Sequence, residues 1–414
     1  MNILYLAGYF FPENTAYTHL ENDLLDELCL AGHTATVICP VPTRGIDEET
    51  RRKYKNIKKE ELNSGKIKVI RFSAPDEGKN PIIRAFRYFW CNYRTLAIAK
   101  KQTDADVVFA ASTPPTQGLL GGAVAKKLGK KLKKHIPFVY NLQDIFPDSL
   151  VTTGLSSTDS PIFKVGKKIE ARTYKSADKI ILISESFKNN LLNKGVPEEK
   201  IENVSNWIDA NSILPIERDE NKLFEELSLP REKFTVVYAG NFGEAQGAEV
   251  VLDAAKLLKD DESIQFAVFG GGAGFENAKK RVADENLSNV KITALLEQAR
   301  VPEVYSLGDV ALITCKKGVG KSGMPSKTWS IMACNTPIIA SFDTDSELAD
   351  IIKTADAGFC VEPENAEMLK EAILSAKENR KNECTSRMYV LENASKDVCT
   401  KKYVKILENS LCNG

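Results

Sequence analysis

The chain has 414 residues, of which 43% are hydrophobic and 27% charged, and its 56 basic and 56 acidic residues give a formal net charge of zero. This length is enough for two large domains, and the balanced charge does not indicate a nucleic-acid-binding protein. No apolar run reaches the roughly 18 residues of a membrane-spanning helix, the N-terminus lacks the features of a signal peptide, and nine cysteines without paired spacing predict free thiols in a cytosolic enzyme.

Strands and helices alternate from the start of the chain. Asn2 to Gly8 is an apolar strand, leucines recur at helical spacing from Thr18 to Leu30, and Thr34 to Cys39 is the next strand. This order predicts a parallel sheet, whose ligands bind beyond the carboxyl ends of the strands. The loop before the helix carries Asn14 and Thr15, which either contact a phosphate or cap the helix, and these two roles are compatible.

Three strongly basic stretches lie in the first third of the chain. The middle one, 82–101, has five aromatic residues, five basic residues and no acid. As a helix it places Arg84, Arg87 and Arg94 beside an aromatic face that includes Trp90. One interpretation is a helix packed into the core. The other is a helix on an anionic membrane surface, with its rings at the level of the lipid headgroups.

Two acidic residues follow the buried strand FVYNL at 138–142. Asp144 is the nearer to the strand end, where a parallel sheet presents its chemistry, so we predict a functional role for it. For Asp148 we favour capping of the next helix. Residues 210–232 are charged and irregular and predict a boundary between two domains, after which a second series of strands and helices begins.

Two glycine-rich segments in the second half resemble nucleotide-binding loops only in part. GVGKS at 318–322 lacks the first glycine of a P-loop, because residue 315 is Cys, and GGGAG at 270–274 lacks the spaced dinucleotide pattern. We therefore expect neither ATP hydrolysis nor a dinucleotide site. The glycines instead allow a close approach of the backbone to a ligand, or a tight turn.

The segment 321–341 contains the clearest candidate for a ligand site. Pro325 suits the first turn of a helix, Ser326 can cap it, and Lys327 supplies a cation. The free N–H groups and positive dipole end of the helix add to this, so the segment predicts an anion site, most naturally for phosphate. The alternative is an ordinary loop, helix and strand with an incidental lysine.

Eight motifs in order resemble those of the family 4 retaining glycosyltransferases: YFFPE, AGH before TATVIC, QDIFPDS, SNWID, YAGNFGEAQG, VFGGG, LGDVALIT and PSKTWSIMACNTPIIAS. The chain is most similar to the bacterial branch that builds O-antigens, capsules and colanic acid, including N-acetylfucosaminyltransferases. The resemblance implies an α/β protein of the GT-B fold, with two Rossmann-like domains facing each other across a cleft. Residues 1–209 would bind the acceptor, 210–390 the nucleotide-sugar donor, and a helix within 391–414 would cross back to the first domain.

The resemblance also implies a function. The chain would be a retaining hexosyltransferase that moves a sugar, N-acetylated in this branch, from a UDP-linked donor to a lipid-diphosphate-linked saccharide. It would work in the cytoplasm, at the inner face of the cell membrane, with no metal, cofactor or nucleic acid. A sugar-nucleotide 2-epimerase of the same fold and a catalytically silent nucleotide-sugar-binding protein are the alternatives.

Position by position, the family motifs are altered here. The usual arginine and lysine of the phosphate motif after Gly240 stand as Asn241 and Gln246, and the usual two glutamates stand as Ser322 and Ser330. Lys327 is then expected to carry most of the charge of the diphosphate. The resemblance places Asp144 at a catalytic position and the Arg84–Arg94 helix on the membrane and acceptor side. Further donor contacts are expected at Gly270, Leu295, Leu296 and Glu347.

Overall fold

The computed structural model describes residues 1–13, 15, 17–76, 81–152, 156–379 and 385–412. The chain divides into two compact units. The first unit comprises Met1–Asn206 and Cys399–Gly414, and the second comprises Trp207–Val398. Both are α/β units built on largely parallel sheets, as the alternation of strands and helices in the sequence predicts.

The sheet of the first unit has eight strands: β1 (Asn2–Leu6), β2 (Thr34–Pro40), β3 (Lys59–Leu62), β4 (Ile67–Phe72), β5 (Val107–Ala111), β6 (Phe138–Leu142), β7 (Lys179–Leu182) and β8 (Ile201–Asn203). Their order is β3-β4-β2-β1-β5-β6-β7-β8, and all pairs are parallel except that of the edge strand β3 with β4. The central strands are buried on both faces, which explains their nearly continuous apolar sequences.

Helices cover both faces of this sheet: α1 (Thr18–Leu30), α2 (Glu48–Tyr54), α3 (Pro81–Ala99), α4 (Gln117–Leu132), α5 (Asp148–Thr152), α6 (Pro161–Ser176) and α7 (Glu185–Asn193). The connection from β1 to β2 and the connections from β4 onward to β7 cross the sheet in opposite directions. Because such crossovers are right-handed, α1 lies on one face of the sheet and α3, α4 and α6 lie on the other. On that second face α3 packs against α4, and α4 packs against α6. These three helices are called the α3–α4–α6 layer below.

The second unit contains a six-stranded parallel sheet: β9 (Phe234–Asn241), β10 (Ile264–Gly271), β11 (Val290–Ala294), β12 (Val310–Thr314), β13 (Ile338–Ser341) and β14 (Gly358–Val361), in the order β11-β10-β9-β12-β13-β14. The remaining helices are α8 (Leu223–Glu226), α9 (Glu249–Leu257), α10 (Phe275–Asp284), α11 (Val301–Ser306), α12 (Lys327–Ala333), α13 (Glu347–Thr354), α14 (Ala366–Glu378), α15 (Ser386–Asn393) and α16 (Lys396–Cys412). Apolar side chains fill the space between helices and sheet on both faces.

The segment 210–232 is not the free linker that its charge suggests. Leu223 and Phe224 are buried in the core of the second unit. The guanidinium carbons of Arg218 and Arg231 lie 4.7 and 4.8 Å from the centre of the Phe224 ring. The charged residues therefore cover an apolar anchor, and the division between the units falls at Asn206 and Trp207 instead.

The C-terminal segment also differs from the predicted division at 391. α15 belongs to the second unit, where Arg387 donates to the carbonyl oxygens of Ala333 and Ala210, both at 2.6 Å. The residues grouped with the first unit begin at Cys399, inside α16. None of the helices in the described ranges combines the length and the apolarity needed to span a membrane. Every cysteine among the described residues is a free thiol.

Candidate active site

Lys327 is the central residue of the candidate site in the second unit. Its ammonium nitrogen is shielded from solvent and has no hydrogen-bond partner among the described residues. Burial alone lowers the pKa of Lys327 to about 8, because no carboxylate compensates the lost hydration. An ammonium left without partners in a protein interior is costly, so this geometry indicates that an anion completes it.

Gly240 lies at the carboxyl end of β9, and because it has no side chain it leaves room for this ammonium. A Cβ added at Gly240 would lie 2.6 Å from Lys327 Nζ. Beneath it, Lys327 Nζ lies 4.5 Å from the centre of the Tyr238 ring, a distance typical of a cation–π contact. The Tyr238 hydroxyl donates to the Asn241 carbonyl oxygen at 3.0 Å and so fixes the turn that follows β9. No role for Tyr238 was predicted from the sequence, although its place near the end of a parallel strand was a usable signal.

The start of α12 differs in detail from the prediction. Ser326 lies at the N-cap position, but its backbone is helical and its exposed side chain makes no capping hydrogen bond. The first turn is closed instead by the Thr328 N–H, which donates to the Pro325 carbonyl oxygen at 3.1 Å. Side-chain capping requires an extended backbone at that residue, and Ser326 does not have one. Its hydroxyl therefore stays available at the surface.

Three predicted donor residues meet at the carboxyl ends of β10 and β11. Leu295 is 46% exposed, and its N–H donates to the Gly270 carbonyl oxygen at 3.0 Å. A Cβ at Gly270 itself would strike the Phe275 ring, so that glycine serves packing. The open edge lies at Gly271, where an added Cβ would be 3.1 Å from Leu295 and 3.6 Å from the side-chain oxygen of Asn241. Leu296 packs against the core instead of facing solvent.

Other predicted donor residues are held by local contacts. The side-chain oxygen of Gln246 folds back over Gly243, and Ser330 is buried within α12. Glu347 is the first residue of α13, and its charge, after burial, helps to raise the pKa of Tyr389. Tyr389 in turn stacks on Trp329, the neighbour of Ser330. No described contact of Gln246, Ser330 or Glu347 involves the Lys327 ammonium.

In the first unit, Asp144 lies beyond the carboxyl end of β6, exposed at the surface. Its N–H and that of Gln143 donate to the buried Ser112 hydroxyl oxygen at 3.1 and 3.0 Å. Desolvation by the surrounding loop raises the pKa of the Asp144 carboxyl, and the hydroxyl of Ser149, which donates to it at 3.1 Å, opposes that shift. Asp148 does not act as a free cap, because Lys194 donates to its carboxylate at 2.6 Å. The support from Ser112 was not predicted, although it follows the end of β5.

A buried polar network holds the residue that precedes Asp144. The Gln143 amide donates to the Asn141 side-chain oxygen at 2.9 Å and accepts from the Asn206 amide at 2.8 Å. The Tyr403 hydroxyl, on α16, donates to the same Asn141 oxygen at 3.1 Å. The C-terminal helix is thus bonded directly to the strand end that carries Asp144. Sequence spacing does not indicate this contact, because Tyr403 and Asn141 are 262 residues apart.

The loop before α1 is held by Glu13. Its buried carboxylate accepts from the N–H groups of Thr43 and Arg44 at 2.8 and 2.9 Å. Thr15 does not cap α1 with its side chain; its N–H donates to the Thr18 hydroxyl at 3.1 Å. Asn14, the other predicted phosphate contact in this loop, lies outside the described residues.

Helix α3 packs one face against the core of the first unit, through Ala99 and Leu96. Its other face exposes aromatic rings, with Phe86 60% and Phe89 81% exposed. Arg87, predicted to lie with Arg84 and Arg94 beside the membrane, is buried, and its guanidinium donates to the Pro75 carbonyl oxygen and to the Thr43 hydroxyl. Arg84 stays exposed, Arg94 lies over the Trp90 ring, and the Trp90 indole N–H donates to the Ser73 carbonyl oxygen at 3.0 Å.

No group of three or more His, Cys, Asp or Glu residues is arranged to hold a metal ion within the described ranges.

Comparisons with known proteins agree with this organisation. Residues 22–212 match the family described as Glycosyltransferase Family 4, and residues 219–397 match Glycosyl transferases group 1. WcaI of Escherichia coli (strain K12), named as a colanic acid biosynthesis glycosyl transferase, is 27% identical over 270 residues, which are 64% of this chain and 66% of WcaI, slightly less than two thirds of that relative. WbjE of Pseudomonas aeruginosa, named as a glycosyltransferase, is 25% identical over 309 residues, 73% of this chain and 74% of WbjE.

Solved structures show the same fold. HepE of Anabaena in complex with UDP superimposes with a TM-score of 0.69 at 15% identity, covering 99% of this chain and 100% of HepE. At that identity the likeness concerns the fold alone. The two matched families follow one another along the chain and correspond to its two α/β units. The chain therefore has the GT-B fold and consists of a Glycosyltransferase Family 4 domain followed by a Glycosyl transferases group 1 domain.

Proposed function

We propose that the protein is a retaining glycosyltransferase of bacterial surface polysaccharide synthesis. It would transfer an N-acetylated sugar from a UDP-linked donor to a saccharide carried on a lipid diphosphate. The name of WcaI supports the pathway class, and HepE, solved with UDP and with UDP-glucose, supports the nucleotide. The observation that carries the proposal is the buried ammonium of Lys327 beside Gly240, which has no hydrogen-bond partner in the part of the chain that the structure describes.

In the proposed reaction, the bond between the anomeric carbon of the sugar and the β-phosphate oxygen breaks. The electron pair leaves with the diphosphate, the anomeric carbon forms a bond with an acceptor hydroxyl on the same face, and the hydroxyl proton passes to the leaving phosphate. Lys327 would stabilise the charge that grows on the β-phosphate, aided by the N–H groups at the start of α12. This chemistry requires no metal, so we expect unchanged transfer in the presence of EDTA.

The donor nucleobase would lie against the edge formed by Leu295, Gly271 and Asn241. The exposed leucine offers an apolar contact, and the two strand ends offer backbone groups. We propose this edge in place of a contact at Gly270, whose Cα faces the Phe275 ring. Glu347 and Ser330 remain the candidates for a hydroxyl contact in this unit.

Asp144 would act on the acceptor side, in the first unit. A carboxylate with a raised pKa is suited to accept a hydrogen bond from a sugar hydroxyl and to assist movement of its proton. The Ser112 and Gln143 contacts hold its backbone in place, which favours a positioned catalytic group over a mobile surface acid.

We further propose that the enzyme docks on the inner face of the cell membrane through the α3–α4–α6 layer. α3 and α4 contain no Asp or Glu, and the one acid in α6, Glu170, is buried. Helix α1, on the other face of the sheet, instead carries four acids and no Lys or Arg. The exposed aromatic rings of α3 beside basic residues fit a headgroup region with anionic lipids.

A transfer assay tests the proposal. The purified protein is incubated with UDP-, GDP- and dTDP-sugars and a saccharide on a short isoprenoid diphosphate. We expect transfer from one UDP-N-acetyl sugar with retained anomeric configuration, and slow hydrolysis of that donor without acceptor. Formation of an epimeric nucleotide sugar would identify a 2-epimerase instead.

A silent nucleotide-sugar-binding protein is the second candidate, favoured by the neutral amides Asn241 and Gln246 where relatives carry cations. The same assay separates the two functions. Saturable binding of a UDP-sugar with neither transfer nor hydrolysis would support the silent protein and would contradict the proposed enzyme.

A further inference from the structure

A cavity of about 440 Å³ lies in the first unit, between α6 and the segment 194–200. Its walls are partly apolar, formed by Ala171, Tyr174 and Val196. Lysines line it from both sides, two on α6 and two on the opposite segment: Lys167, Lys175, Lys194 and Lys200. The cavity has no role in the donor site described above, which lies in the second unit.

Two of these lysines are neutralised by carboxylates. Lys194 Nζ lies 2.5 Å from the buried Glu170 carboxylate and 2.6 Å from that of Asp148. Lys167 binds the same pair, at 2.6 Å to Glu170 and 3.6 Å to Asp148. Two cations and two anions therefore balance within this cluster. Any further lysine at the cavity adds a positive charge that the carboxylates of this cluster do not balance.

The other two lysines supply that charge. Lys200 Nζ donates to the carbonyl oxygens of Ala177 and Lys175, at 2.7 and 3.4 Å, and neither Lys200 nor Lys175 forms an ion pair among the described residues. Carbonyl oxygens satisfy hydrogen bonds but do not cancel an ammonium charge. The cavity thus combines two excess positive charges with an apolar wall, and its complement is an anionic group attached to an apolar chain.

We infer that this cavity is a binding site for a lipid phosphate or diphosphate, with the anionic group at Lys175 and Lys200 and the first part of the chain against Tyr174 and Val196. Its position supports this ligand class. The cavity is lined by α6, part of the α3–α4–α6 layer, and that helix also exposes Ile162 and Val165. The ligand would be reached from the membrane surface on which the layer is proposed to dock.

The cavity is also connected to the acceptor side. Asp148, which binds both neutralised lysines, begins α5 directly after the loop that carries Asp144, and the next residue, Ser149, donates to the Asp144 carboxylate. A ligand in the cavity would therefore sit next to the segment that carries the proposed acceptor group. The source of the lipid phosphate is either the isoprenoid diphosphate carrier of the acceptor or a membrane phospholipid.

Calorimetry without any donor sugar tests the site. The titrants are geranyl diphosphate, dihexanoyl phosphatidic acid and, as controls, geraniol and inorganic diphosphate. All proteins carry Lys327→Ala, so that a diphosphate cannot be read out at the donor site. Because no sugar transfer is measured, the result is independent of whether the proposed transferase reaction is correct.

We expect saturable binding of one lipid phosphate per chain and none of geraniol. Lys175→Glu should weaken this binding about tenfold, since it reverses an uncompensated charge, whereas Lys168→Glu, an exposed lysine of α6 that does not line the cavity, should leave it unchanged. Ala171→Trp should abolish it by filling the cavity, with the melting temperature checked for folding.

Binding of geranyl diphosphate alone would identify the carrier as the source, and binding of both lipids would identify any lipid phosphate. Absence of binding by both lipids would overturn the inference. Equal affinity in Lys175→Glu and Lys168→Glu, or full binding by folded Ala171→Trp, would overturn it as well.

Discussion

The candidate groups of the two units, Lys327 and Asp144, have opposite charges when ionised, and their pKa values are shifted in opposite directions. In the second unit, burial lowers the pKa of Lys327, whose ammonium has no hydrogen-bond partner among the residues described. In the first unit, desolvation raises the pKa of an exposed carboxyl, Asp144, that keeps a hydroxyl partner. A buried cation is strongly stabilised only by an arriving anion, whereas an accessible carboxyl with a raised pKa is suited to exchange a proton. The difference supports the proposed roles, which are charge stabilisation in the second unit and hydroxyl chemistry in the first.

The largest expected effect comes from removing the buried cation. Lys327→Ala should lower kcat/KM for transfer by about 10² to 10³-fold, the range expected when a fixed group at a developing charge is lost. The measurement is steady-state transfer with saturating acceptor. Lys321→Ala is the matched control, because that lysine lies in the same segment but is exposed and paired with Asp345 at 2.5 Å. A loss of similar size in both variants would argue against a specific role for Lys327.

Removing the Asp144 carboxyl should slow the chemical step without weakening donor binding. Asp144→Ala is expected to lower kcat by about 100-fold, a typical contribution of a positioned acid or base, while the Kd for UDP stays unchanged. Transfer kinetics and calorimetry with UDP measure the two quantities. Near-normal transfer in this variant would remove Asp144 from the mechanism.

The α3–α4–α6 layer and α1, on the two faces of the sheet, differ in charge and in exposed aromatic rings. This difference predicts an effect on membrane binding that is smaller than the losses of activity above. The double substitution Phe86→Ser and Phe89→Ser should weaken binding to vesicles with phosphatidylglycerol about 30-fold, since two partly inserted rings contribute about 2 kcal/mol. Flotation of the protein with vesicles is the measurement. Leu30→Ser is the control, because Leu30 is 81% exposed on α1, on the other face of the sheet. Equal losses in both variants would contradict docking through the α3–α4–α6 layer.

A smaller effect, on UDP binding, is expected from a substitution at Gly240, which lies against Lys327 in the candidate donor site. Gly240→Ala should weaken UDP binding about tenfold, because its Cβ would displace the Lys327 ammonium, which lies 2.6 Å from that position. The test is a double-mutant cycle measured by calorimetry. In the Lys327→Ala background the same substitution should have almost no further effect, and additive losses would show that Gly240 acts through another contact.

The fold could largely be predicted from the sequence, because apolar runs and helical periodicity alternate along most of it. The family resemblance also assigns Gly240 and Lys327 to one donor site, where Gly240 lies at the carboxyl end of β9 and Lys327 follows β12 in the chain. The burial of Arg87 could not be predicted. A helical projection assumes an apolar inner face, whereas this arginine is satisfied by Pro75 and Thr43, distant in sequence. Likewise, Ser326 does not cap α12, and the segment 210–232 packs into the core of the second unit. Both outcomes depend on backbone geometry and tertiary partners that residue types alone do not specify.

The central claim is that the Lys327 ammonium binds the donor diphosphate, and its pKa of about 8 allows a direct test. Above that pH the free protein holds a neutral amine, so UDP affinity should fall about tenfold per pH unit as the pH rises past 8. The most direct measurement is calorimetry of UDP binding at pH 8 in two buffers with different ionisation enthalpies. We expect an uptake of about half a proton per UDP bound in the wild type, and none in Lys327→Ala, which should also bind more weakly. Unchanged affinity in the variant, with no proton uptake by the wild type, would contradict the account.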